Sequence, residues 1–103
     1  MLFVFHLLDK KTPDTPALRA RLRPEHKQYL AGVGDRIAFA GPLLGGGGPE
    51  DFVGSLLVID FDSEADALAW LENEPFTRAG VYGERSIHAF VNTWPQRAGF
   101  VAG

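Results

Sequence analysis

Residues 53–61 read Val53-Gly54-Ser55-Leu56-Leu57-Val58-Ile59-Asp60-Phe61, and this stretch decides the fold. It is the strongest strand of the chain and is apolar on both faces. Leu56 and Val58 point one way; Leu57, Ile59 and Phe61 point the other. A sheet covered on one side alternates apolar with polar residues, so a strand that does not alternate belongs to a sheet packed on both. Just downstream, Ser63 with Asp66 three residues later makes a capping-box signature. The helix it opens runs to about Asn73 and buries Ala67, Leu68, Trp70 and Leu71. Glu74-Pro75-Phe76 breaks that helix, Thr77 to Tyr82 form a short turn or helical piece, and Arg85 to Asn92 (RSIHAFVN) read as the last strand.

Upstream, Leu43 to Phe52 contain four consecutive glycines, Gly45 to Gly48, and are expected to form a mobile loop. A phosphate cradle would need a Lys-Ser/Thr pair after the glycines, and Pro49-Glu50-Asp51 supplies the opposite charge, which rejects that reading. Arg36 to Ala40 read as a strand ended by Gly41-Pro42. Arg23-Pro24-Glu25-His26 opens a helix reaching about Val33, because proline suits the first helical position. Ala17 to Leu22 have helical composition, which Pro24 either kinks or ends. Lys11 to Pro16 form a loop with two prolines, and Leu2 to Leu8 (LFVFHLL) form the first strand, again apolar on both faces.

The element order is therefore β-α-β-β-α-β, the split βαβ of ferredoxin-like α+β folds, with a four-stranded antiparallel sheet and both helices on one face. The other face needs cover that the chain does not supply. A second copy is the economical answer, so a homodimer joined through the sheet face is expected. Residues 1–94 form the domain, and residues 95–103 are a C-terminal tail without clear period.

At 103 residues the chain is one domain, with 46% apolar and 22% charged residues. A formal net charge of −3 argues against nucleic acid or an anionic membrane as partner. Without cysteine there is no thiolate nucleophile and no disulfide. The N-terminal run MLFVFHLLDKK lacks a basic leader region and is too short to span a bilayer, so a cytoplasmic location follows by default. Arg19, Arg21, Arg23 and Lys27 gather around one helix start; they read as a solvated face, with Arg23 a candidate for holding an anionic substrate.

His26 shares a helical stripe with Tyr29, Leu30 and Val33, so its imidazole points inward. At the third helical position it feels the positive end of the helix dipole, which favours the neutral ring, as burial does. A neutral, poised histidine is a competent general base at pH 7. Glu74, at the end of the second helix, is its best carboxylate partner. The alternative is a core histidine bonded to a backbone carbonyl, and both readings stay open.

His6 and His88 fall on the first and fourth strands, at the outer and inner positions of the sheet. No histidine pair has a metal-ligand interval and no acid joins them, so neither a metal nor a cofactor is expected. Ser55 lacks the G-x-S-x-G elbow of a nucleophile and reads as a hydroxyl that binds substrate or satisfies backbone. Gly41, Pro42 and Gly80 shape a pocket by close backbone approach. Trp70, Phe76 and Tyr82 are core or cavity wall.

In order and spacing, Asp9-Lys10, Arg23-Pro24-x-His26 with Tyr29-Leu30, Ala40-Gly41-Pro42, Gly54-Ser55 and Pro75-Phe76-x-x-Ala79-Gly80-Val81-Tyr82 together resemble the YCII-related domains. The resemblance runs from Met1 to about Trp94. It implies a dimeric α+β barrel, an active site built on a histidine–aspartate pair, and kinship with a dehydrochlorinase of chlorinated aromatic breakdown. The histidine corresponds to His26. The aspartate position before Pro75-Phe76 holds Glu74, which keeps the charge and adds a methylene.

The expectation that follows is a small dimeric enzyme. His26 and Glu74 would be catalytic, with Ser55, Gly41, Pro42 and Arg23 around a small organic substrate, and the reaction an elimination or hydrolysis. The alternatives are a non-catalytic small-ligand-binding or interaction module, and a cofactor-free monooxygenase of the same barrel type.

Overall fold

Phe3, Phe5 and Leu7 project from one face of the first strand into the core, and the helices are laid over that row. The computed structural model describes residues 1–94. The chain runs β1 (Leu2–Asp9), α1 (Thr15–Ala31), a 3₁₀ turn (Gly34–Arg36), β2 (Ile37–Leu44), β3 (Phe52–Asp60), α2 (Glu64–Glu72), α3 (Pro75–Arg78) and β4 (Tyr82–Phe90). The sheet order is β2-β3-β1-β4, and all three pairings are antiparallel. This is the ferredoxin-like α+β architecture. The expected tail at 95–103 lies outside the described residues.

Register follows from the two-faced strands. Phe3 pairs with Ile59, Phe5 with Leu57 and Leu7 with Ser55, so these six share the helix-covered face. Phe61, Ala67, Leu71, Phe76 and Val81 close over them. Burial of each large side chain in this cluster contributes about 1.5–3 kcal/mol. On the opposite face lie Val4, His6, Leu56, Val58, His88 and Phe39, and Phe39 is 48% exposed.

Several expectations are corrected. Pro24 does not open a helix: α1 is continuous from Thr15 to Ala31 and contains it. The first-turn proline is Pro16, and Pro24 sits on the exposed face, where the carbonyl it leaves unpaired meets solvent. The half-buried stripe Leu18, Leu22, Leu30 and Val33 packs on the sheet and holds the helix together across the proline. Gly41 and Pro42 do not end β2, which reaches Leu44; β2 is an edge strand, where a missing N–H costs no ladder bond. The first strand is internal and the fourth is an edge, so the positions expected for His6 and His88 are exchanged. Leu68 is exposed rather than buried, because the buried row of α2 is Ala67 and Leu71, one turn apart. The Ser63 hydroxyl does cap α2, accepting from the Asp66 N–H at 3.1 Å.

The glycine segment closes on itself. The Gly45 N–H bonds the Asp51 carbonyl at 2.9 Å, and the Gly47 N–H bonds the Asp51 carboxylate at 2.9 Å. Gly46 and Gly48 hold φ of 94° and 125°, which only glycine adopts without strain. None of the described helices is long and apolar enough to cross a membrane.

Candidate active site

The inward stripe of α1 carries His26 over the sheet, and the turn between α2 and α3 brings Glu74 up to it. Glu74 is the N-cap of α3: its Oε2 accepts from the Thr77 N–H at 3.0 Å, and the Thr77 hydroxyl lies at 3.4 Å. Its other oxygen, Oε1, meets Nδ1 of His26. The Glu74 side chain is fully buried while that of His26 keeps 12% of its surface exposed. A buried carboxylate is tolerable only when both oxygens have donors, and here both do.

Phe76, also fully buried, stacks on the imidazole with ring centroids 4.1 Å apart and planes 9° from parallel. His26 is thus fixed at one nitrogen and along one face. It sits in the middle of α1, so the expected influence of a helix N-terminus is absent.

Beside His26 opens a cavity of about 300 Å³. Phe52, Leu57, Phe76 and Pro42 supply apolar wall, and Gly41 and Ala40 bring the β2 backbone to its edge. Arg23 and Lys27 stand on its α1 side, and neither has an ion-pair partner among the described residues. The Arg23 guanidinium lies 5.5 Å over the Phe52 ring. Of the six residues singled out from the sequence, His26, Ser55, Gly41, Pro42 and Arg23 line this cavity, and Glu74 sits behind His26.

A second group, which the sequence reading missed, lies at the floor. Arg19 is 6% exposed, not part of a solvated face. Its Nε and Nη2 bond the two carboxylate oxygens of Asp9 at 2.7 and 3.1 Å, a two-point pairing. Nη2 also donates to the Ser55 hydroxyl at 2.8 Å, and the Tyr82 hydroxyl bonds the same oxygen at 3.0 Å. Burial first, and then the charge of Glu74, push the Tyr82 phenol above its ordinary range and keep it protonated. Tyr29, which donates to the Trp70 carbonyl at 2.8 Å, is raised for the same two reasons. The signal for Arg19 was present in its spacing: it stands two turns before His26 on the same helix face. Among the described residues no three His, Cys, Asp or Glu side chains converge as metal ligands would.

The chain matches the YCII-related domain over residues 1–91. It belongs to the YCII-related family. Protein YciI of Escherichia coli O6:H1 is 33% identical over 96 residues, which span 87% of this chain and 96% of that protein. Protein YciI of Shigella flexneri matches to the same extent. Among solved structures, 5-chloro-2-hydroxyhydroquinone dehydrochlorinase from Burkholderia phenoliruptrix, in complex with 2,5-dihydroxybenzoquinone, is similar with a TM-score of 0.82 and 29% identity. That alignment covers 88% of this chain and 94% of the dehydrochlorinase. This YCII-related chain therefore shares family with YciI and fold with an enzyme that has a small ring compound bound.

Proposed function

We propose that this YCII-related protein is a small acid/base enzyme in which His26 moves a proton and Glu74 positions it. The observation that carries the reading is the His26–Glu74 contact, with the acid sealed and the imidazole on the cavity wall. An ionised carboxylate only accepts, so Nδ1 donates to Glu74 and the lone pair of the neutral ring sits on Nε2. Nε2 then takes a proton from a substrate carbon while an anionic group leaves the neighbouring carbon and a double bond forms. In a hydrolysis it takes the proton of an attacking water instead. Either way the imidazolium that forms faces the Glu74 carboxylate, which stabilises it without exposure to solvent. General-base catalysis of this kind contributes about 10²–10⁴-fold. The cavity suits a molecule of roughly one substituted ring, in keeping with the ligand of the dehydrochlorinase.

The working unit is a homodimer. The sheet face opposite the helices carries the half-buried Val4 and Leu56 and the exposed ring of Phe39, apolar groups that a second copy would cover.

Turnover is to be screened on 5-chloro-2-hydroxyhydroquinone, followed by chloride release, and on a panel of small halogenated and ester compounds. His26→Gln should abolish turnover and leave the dichroism spectrum unchanged. Turnover that survives His26→Gln contradicts the proposal. So does the absence of turnover across the panel, which is the outcome expected of a pure binding module.

A further inference from the structure

Two hydroxyls at the cavity floor have more protons than partners. Ser55 is 2% exposed and Tyr82 6% exposed. A serine and a tyrosine bring two O–H protons between them. The 3.0 Å bond between their oxygens uses one. Arg19 Nη2, at 2.8 Å, can only donate to Ser55, so it takes up a lone pair and accepts nothing. The Tyr82 phenol stays protonated and its oxygen has no other hydrogen-bond partner among the described residues. When Tyr82 donates to Ser55, the Ser55 proton is left without an acceptor, and Ser55 is the member of the pair that lines the cavity. A buried donor without an acceptor costs about as much as a lost hydrogen bond. A ligand oxygen removes that cost.

We infer that Ser55, held by Arg19 and Tyr82, donates its hydroxyl proton to an anionic oxygen of the substrate and so selects for ring compounds bearing an acidic hydroxyl or carboxyl group. This deepens the acid/base proposal and rests on it for the identity of the cavity as the substrate site. The charge of the ligand follows from its surroundings. Asp9 neutralises Arg19, while Arg23 and Lys27 on the cavity's α1 side lack acidic partners among the described residues. A neutral ligand would leave both cations facing an uncharged surface. An apolar ring fits the wall that Phe52, Leu57 and Pro42 supply. In this arrangement Arg19 also polarises the serine oxygen, which makes its O–H a stronger donor. Ser55 is the contact residue, and Arg19 and Tyr82 are positioning residues.

The test is calorimetric binding of 2,5-dihydroxybenzoquinone to the full chain, a planar probe with acidic ring hydroxyls. Saturable binding to the wild type is expected, and none would overturn the inference. Ser55→Ala should weaken binding about ten- to hundredfold, the effect of losing a hydrogen bond to a charged group. That variant leaves the Tyr82 phenol unpaired, so Ser55→Ala combined with Tyr82→Phe is measured beside it. The double variant should bind as weakly as the single one while regaining thermal stability. Tyr82→Phe alone keeps the Ser55 proton but loosens its aim, and should weaken binding by less than Ser55→Ala does. Equal losses for Tyr82→Phe and Ser55→Ala, or no loss for Ser55→Ala, overturn it. His26→Gln separates the two proposals, because binding is read without turnover. If Ser55→Ala binds like wild type and His26→Gln is inactive, only the present inference fails. If Ser55→Ala binds weakly and His26→Gln remains active, only the acid/base reading fails.

Discussion

The ring of Phe76 lies flat against that of His26 at 4.1 Å, two positions after the glutamate that meets the imidazole nitrogen. One short segment therefore fixes both the plane and the direction of the histidine. Phe76→Leu keeps the apolar volume but removes the stacked face. The substitution should cost about 1–3 kcal/mol in chemical denaturation and lower kcat more than KM, because the ring is free to tilt from its reactive pose. An unchanged kcat with the expected loss of stability would make Phe76 a packing residue only.

Glu74→Gln preserves the shape of the side chain and an acceptor for Thr77, yet removes the charge behind the imidazolium. Turnover should fall by about 10²–10⁴-fold with the fold intact. Glu74→Asp draws the carboxylate back by one methylene, away from Nδ1, and should recover little of that loss. Full activity in Glu74→Asp would show that reach is not what the glutamate supplies.

Tyr82 makes alkaline stability a test of burial. Its folded phenol titrates above the unfolded value of about 10, so below that pH both states hold the proton and stability does not depend on it. As pH rises past 10, the unfolded chain ionises first and the fold loses stability. At pH 8 wild type should be more stable than Tyr82→Phe, through the bond to Ser55. By pH 11 that advantage should shrink. Denaturation midpoints at the two pH values measure it, and a constant gap would place the Tyr82 hydroxyl in an environment close to water.

Phe39→Glu puts a charge on the sheet face proposed to join two copies. Sedimentation should give twice the chain mass for wild type and the chain mass for the variant. A monomeric wild type, or a variant that stays dimeric, would rule out this face as the interface.

The sheet was legible because Val53–Phe61 and Leu2–Leu8 are runs of branched and aromatic residues, the composition of strands. The start of α1 was not, because Pro16 and Pro24 compete for the same first-turn signal. Only the packing of Leu18 and Leu22 on the sheet shows that the helix runs through the second proline. That misplacement carried a false electrostatic argument with it, since a histidine in mid-helix feels no terminal dipole. Arg19 was hidden for a different reason. A guanidinium is buried only when its partners are in place, and Asp9 and Ser55 reach it from two separate strands, β1 and β3. The extent of β2 depended on its being an edge, a property of the whole sheet rather than of Gly41-Pro42.

The tautomer of His26 tests the central claim most directly. Nitrogen-15 chemical shifts of the imidazole, recorded where the ring is neutral, distinguish a protonated from an unprotonated nitrogen. With Glu74 holding the ring, Nδ1 should carry the proton and Nε2 the lone pair. A neutral ring protonated at Nε2 would contradict the claim, because the nitrogen facing the cavity would have no lone pair with which to take a proton.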